Sequence, residues 1–198
     1  MLLSAELRLF WFDHKPAELE NWFLDAAIHQ LDAWGPEIRT DVYLPDSQIE
    51  LGVKTRGQNA GVEVKGLIAK PGDTLEFASY QIPIEFWCKW PSQKLAFDTQ
   101  TGVTMHKQRW LRKFNTATAR PSEARESMPE IGCNVEWTIV TLSGAICWTF
   151  GFEAFGHRND VEKSLRSVAR VMSGRNPPNS PGAAILSYPA FIAQAFTR

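Results

Sequence analysis

Residues 51–69 read LGVKTRGQNAGVEVKGLIA. In an extended chain successive side chains point to opposite faces, so Lys54 and Arg56 share one face and Glu63 and Lys65 share another, while Val53, Val62 and Val64 take the reverse sides. The intervening GQNAG, with Asn59 and Gly61, has the chemistry of a turn, so the stretch reads as a hairpin with one ionic and one apolar side. A sheet face turned to water gives this pattern, and so does a wall that meets an anion.

The same alternation recurs outward from the hairpin. Glu6 and Arg8 share a face, as do Glu85, Trp87 and Lys89, and again Lys107 and Arg109. Basic residues dominate this shared face although the formal net charge is only -1, so an anion site has to be a local concentration of Lys and Arg. ELRLFW, DVYL, IEFWCKW, TMHKQRWLRKF, VEWTIVTL and AICWTFGFEAF all read as strands alongside the hairpin, about eight in total. Helical spacing is confined to residues 17–33, closed by Gly35-Pro36, and to 158–172, where Asn159 or Asp160 is placed to cap and Gly174 to terminate. The intervals between strands are too short for parallel crossovers, so the predicted class is α+β with a mainly antiparallel sheet. Residues 1–175 read as one domain, and 176–198 as a loop followed by an apolar tail that packs on it.

Several chemistries are disfavoured. The three cysteines, Cys88, Cys133 and Cys147, are widely spaced, which fits a reducing, cytoplasmic setting better than a disulfide framework or a thiolate metal site. No P-loop, dinucleotide fingerprint or nucleophile elbow is present, and the histidines show no metal-ligand spacing. The apolar start is interrupted by Glu6 and Arg8, and no membrane span is visible. MHKQRWLRKF combines charge with a stacking face at Trp110, but one such segment in a neutral chain disfavours a nucleic-acid partner. Trp87, on a face with Glu85 and Lys89, is the tryptophan expected to touch an organic group.

The order ELRLF, a helix, DVYL, LGVKTRG, GVEVKG, KQRW, VEWTIV, FEAF and a following helix resembles the CYTH domain, the triphosphate tunnel metalloenzymes, from about residue 4 to residue 172. The resemblance implies an eight-stranded antiparallel tunnel barrel with flanking helices, whose inner wall grips a triphosphate with basic residues and holds Mg or Mn with acidic ones. Lys54, Arg56, Lys65, Lys107 and Arg109 match the family's basic positions, and Arg8 and Lys89 join them on the same faces. The acidic side is thinner. Of the family's E-x-E-x-K only Glu6 remains, with Arg8 at the second glutamate, and the later acidic positions fall on Glu136 or Thr138 and on Glu153, with Glu63 a further metal candidate. A cation where a carboxylate is expected repels metal and strengthens anion binding. The favoured expectation is therefore a divergent member that binds a phosphorylated or otherwise polyanionic small molecule. The alternatives are a metal-dependent triphosphatase or adenylyl-cyclase-like enzyme, and an interaction protein whose charged sheet face is plain surface.

Overall fold

In the computed structural model, residues 2–29, 35–45, 48–57, 59–70, 72–124 and 128–196 are described. The chain runs β1 (Leu2–Trp11), α1 (Ala17–Leu24), α2 (Ala26–His29), β2 (Glu37–Tyr43), β3 (Leu51–Arg56), β4 (Asn59–Ala69), β5 (Thr74–Phe77), β6 (Tyr80–Pro83), β7 (Glu85–Ser92), β8 (Val103–Asn115), β9 (Ser122–Ala124), β10 (Gly132–Leu142), β11 (Ala145–Phe155), α3 (Val161–Ser173), β12 (Ala184–Ile185) and α4 (Tyr188–Phe196). Pairing follows β10-β11-β1-β7-β4-β3-β2-β8, and β8 pairs back onto β10, so eight antiparallel strands close into a barrel. The α+β tunnel architecture expected from the sequence is the one observed. β5 and β6 form a separate hairpin that the sequence reading passes over, β9 pairs antiparallel with the end of β8, and β12 adds to β1.

Register sorts the two faces. In β1, Leu7, Leu9 and Trp11 point outward beside Phe150 and Phe152 of β11 and Val135 and Trp137 of β10, and all are buried. They are covered by Leu19, Trp22 and Phe23 of α1, by Val161, Leu165, Val168 and Met172 of α3, and by Leu75, Phe77 and Ile82 of the hairpin. Phe77 stacks on Phe150 at 5.0 Å, and Phe152 meets both rings edge-on. Each such side chain withdrawn from water contributes about 1.5–3 kcal/mol, so the main hydrophobic core lies outside the barrel wall and leaves the interior free to carry charge.

The early helix is shorter than its apolar spacing predicts. It stops at Leu24 because Asp25 is extended (φ -69°, ψ 112°), and the Asp25 carboxylate accepts the Ala27 N–H at 2.7 Å, which starts the separate turn α2. Residues 30–33, the last part of the helix read from the sequence, lie outside the described residues. In α3 the end near Gly174 is as expected, but the Asp160 carboxylate at the N-cap position accepts no backbone N–H of the first turn: its helical φ and ψ (-110°, -18°) are not the extended values that aim a capping oxygen back at that turn. Among the described residues of the β3–β4 turn the left-handed one is Gly57 (φ +59°) rather than Asn59 or Gly61, and the register shifts between Thr55 and Arg56.

Candidate functional site

Even-numbered side chains of β1 and β10, and odd-numbered ones of β2, β8 and β11, turn inward with Lys54, Arg56, Glu63, Lys65 and Lys89. They line a cavity of about 250 Å³ walled by eight cationic side chains and four glutamates. Every site residue named from the sequence is on its wall: Arg8, Lys54, Arg56, Lys65, Lys89, Lys107 and Arg109, with Glu6, Glu63, Glu136 and Glu153. Lys107 is 2% exposed and Glu136 3%, so the charged sheet face is barrel interior, and the reading of it as plain solvated surface is overturned. Arg56, with 53% of its side chain exposed, stands toward the rim.

The sequence reading misses Glu37 and Arg39 because it begins this strand at Asp41 whereas β2 begins at Glu37, and it places Asp41 and Tyr43 in the strand without assigning them to the site. In the observed strand Glu37-x-Arg39-x-Asp41-x-Tyr43 is a clean inward alternation, and that was the available signal. Tyr188 and Pro189, also on the wall, come from the C-terminal tail, whose docking place no local pattern reveals.

The interior is a network of ion pairs in three parts. At one end Glu6 accepts from Lys65 at 2.5 Å, from Lys89 at 3.1 Å and from the Ser4 hydroxyl at 2.7 Å, while Lys89 also pairs with Glu153. In the middle Glu136 lies between Arg8 and Arg109, and Arg109 reaches Glu37 as well. At the other end a single Asp41 oxygen, Oδ2, meets Lys107 at 2.9 Å, Lys54 at 3.3 Å and Arg39 at 3.4 Å. Lys54 also meets Glu63 at 3.3 Å, and Lys107 donates to the Tyr43 hydroxyl at 2.8 Å.

These contacts set the titration behaviour. Burial alone would raise the carboxyl of Glu6, but the charges of Lys65 and Lys89 outweigh it and hold the group well below the carboxylate range. Asp41 is depressed in the same way, against its burial, by Lys107, Lys54 and Arg39. Glu136, against the same burial effect, is brought down to about 2 by Arg8 and Arg109. Lys107 goes the other way from an ordinary lysine: burial and the neighbouring Lys54 and Arg39 push its pKa well down, and Asp41 only partly opposes them. The cation excess at this end is therefore held at an electrostatic cost that an incoming anion would relieve.

Trp87 does not present an open stacking face. It is fully buried, its indole N–H donates to Glu85 at 3.1 Å, and the Lys65 ammonium lies 4.4 Å from its ring centroid. Arg112, in the segment weighed as a nucleic-acid surface, is buried and donates to the Phe23 carbonyl and to Glu123. The three cysteines are free thiols.

The carboxylates do not make a metal centre in this arrangement. Among the described residues no three Asp, Glu, His or Cys side chains converge as a ligand set. Glu6, Glu136 and Glu153 each already accept from Lys or Arg, and the Arg8 guanidinium sits against Glu136, so a divalent cation would have to displace fixed positive charge.

No protein-family model matches the chain, and no curated protein does. Among solved structures it is similar to the PH1819 protein of Pyrococcus horikoshii OT3 (11% identity, 96% of this chain and 99% of that one, TM-score 0.43). It is also similar to the S. pombe Pct1 RNA triphosphatase, solved in complex with the Spt5 CTD (12% identity, 99% of this chain and 81% of that one, TM-score 0.48). Both are remote likenesses, and the closed barrel is established by its own strand register. No helix among the described residues is long and apolar enough to cross a membrane.

Proposed function

We propose that the barrel interior binds a small phosphorylated or otherwise polyanionic molecule, without a resident metal, in a cytoplasmic setting. The observation that carries this reading is the cation excess around Asp41, where Arg39, Lys54 and Lys107 converge on one carboxylate oxygen out of contact with bulk water. Buried charge of one sign is costly unless a counter-charge answers it, and a phosphate with several oxygens answers three cations at once. The CYTH resemblance supports the same chemistry. Hydrolysis of a triphosphate with Mg or Mn is the reading it offers beside this one, and the pairing of the glutamates with Lys and Arg counts against it.

Titration calorimetry with tripolyphosphate tests the proposal. Binding is expected for the wild type, weakening as salt rises, with a loss of about tenfold or more in Lys54→Ala. An affinity that is absent, or unchanged in both Lys54→Ala and Arg56→Ala, would remove its basis. A parallel phosphate-release assay with Mg and Mn reports on the hydrolase: turnover abolished by Glu6→Gln with Glu153→Gln would replace the binding reading by the enzymatic one.

A further inference from the structure

The outer face of β3, β4 and β7 differs from the rest of the barrel wall. Lys54, Lys65 and Lys89 turn inward, so by alternation Leu51, Val53, Val64, Gly66, Cys88 and Trp90 turn out. Register sets them in two rows, Leu51-Gly66-Cys88 and Val53-Val64-Trp90, and Leu3 of β1 extends the first row beside Cys88. Neither row contains a charged residue, and Ile68, at the irregularity of β4, lies beyond Gly66. Trp90 is 49% exposed, Ile68 50% and Leu51 37%, and none of them belongs to the core under α1 and α3 or to the cluster beside α4.

The face also has relief. Gly66 leaves its middle bare, since a methyl group added there would meet no atom within 4 Å. The Trp90 indole stands one strand over and two residues along, so the same face presents a knob and a hole. A two-fold axis lying in the plane of contact, midway between Trp90 and Gly66, seats each copy's indole in the other copy's hole at once. With strands about 4.8 Å apart and about 3.4 Å per residue, that axis passes about 1–2 Å from Val64 and Cys88, so each meets its own counterpart across it. The apolar surface exposed by the patch is roughly 400 Å². A stable homodimer takes about 800 Å² from each partner, about 65% of it apolar, so the patch supplies most of the apolar share and its polar margin the rest.

We infer that this face is a homodimer interface, in which two copies pack their β3-β4-β7 walls together with Trp90 of each over Gly66 of the other. Rows without charge select neither an acidic nor a basic partner, whereas a knob and a hole on one face fit a second copy of that face. The two barrels meet behind Lys54, Lys65 and Lys89, so the pairing does not depend on what the interior binds.

Sedimentation velocity over a concentration series tests the interface. The chain is expected to pass from monomer to dimer in the micromolar range, and Trp90→Glu should weaken association by at least about thirtyfold while circular dichroism shows the fold retained. Gly66→Val separates the docked geometry from mere stickiness. It adds apolar surface where the free chain has room, yet it fills the hole, so association should weaken by about tenfold or more with the melting temperature kept. Bismaleimidoethane should link two chains through Cys88, because Cys133 and Cys147 are buried, and Cys88→Ser should abolish the link. A chain that stays monomeric to about 100 μM overturns the inference and leaves the patch to a different partner. A dimer that is indifferent to Trp90→Glu, strengthened by Gly66→Val or not linked through Cys88 overturns it as well, by placing the contact elsewhere.

Discussion

Replacing Glu136 by glutamine removes one negative charge from between two arginines and leaves the shape of the side chain almost unchanged. The carboxyl is 3% exposed and is held at about 2 against an ordinary value of 4.5. At about 1.4 kcal/mol per pKa unit that depression is worth about 3 kcal/mol of stability at neutral pH. Breaking a buried pair from one side costs about 3–5 kcal/mol, and because the glutamine oxygen can still accept from Arg8 the lower figure is expected. For a chain of this size the melting temperature should fall by about 6–12 °C. The pKa is lowered on folding, so the contribution is fully present above about 4.5 and is lost as pH falls through about 2; the two proteins should converge across that window in urea denaturation. The same substitution frees Arg8 and Arg109 from a competing carboxylate, so tripolyphosphate should bind about tenfold more tightly to the less stable protein. Affinity and stability falling together, or a stability difference that persists unchanged into acid, would refute the account of Glu136 as a charge that opposes ligand within the free tunnel.

Three further outcomes follow from the same network. Because burial and neighbouring cations push the Lys107 pKa well below its ordinary 10.5, an anion placed beside it should raise that pKa and draw in a proton; calorimetry in buffers of different ionisation enthalpy should show net uptake, and net release counts against the assignment. Asp41→Asn leaves Arg39, Lys54 and Lys107 without their shared counter-charge and should cost about 3–5 kcal/mol in denaturant, with much of the loss recovered by tripolyphosphate and none recovered if the site takes no anion. At Gly151 an added methyl would lie 2.9 Å from the Leu7 carbonyl and 3.0 Å from Arg8 Cζ, so Gly151→Ala should part β1 from β11 and destabilise by about 1–3 kcal/mol, whereas a neutral result would mean that the wall yields freely there.

Alternation made the wall legible in the sequence. The inward rows Glu6-x-Arg8, Lys54-x-Arg56, Glu63-x-Lys65 and Lys107-x-Arg109 follow from the pleat alone, and a neutral chain that concentrates cations on those rows signals their common destination. Closure is different in kind. It depends on β8 pairing at once with β2 and β10, a non-local fact that no run of residues records. Arg39 was lost through a strand boundary drawn four residues late, which hid the strongest cation cluster, while Trp87 was misplaced because parity gives a face without giving depth. The apolar tail was expected to pack back, but the sequence does not say that Tyr188 would lie over Lys107.

The pairing of Ser4 with Phe155 and of Trp11 with Trp148 joins segments that lie far apart in the sequence. Such a contact carries a large loop-closure entropy and forms late in folding. During synthesis, then, the strands that bear Lys54, Lys65, Lys89 and Lys107 emerge and stay hydrated well before β11 exists to complete the ring. The dehydration of the charged interior is thereby deferred to a single closing step, and its rate should be the slow phase of refolding, sensitive to salt and accelerated by polyphosphate that neutralises the wall as it shuts.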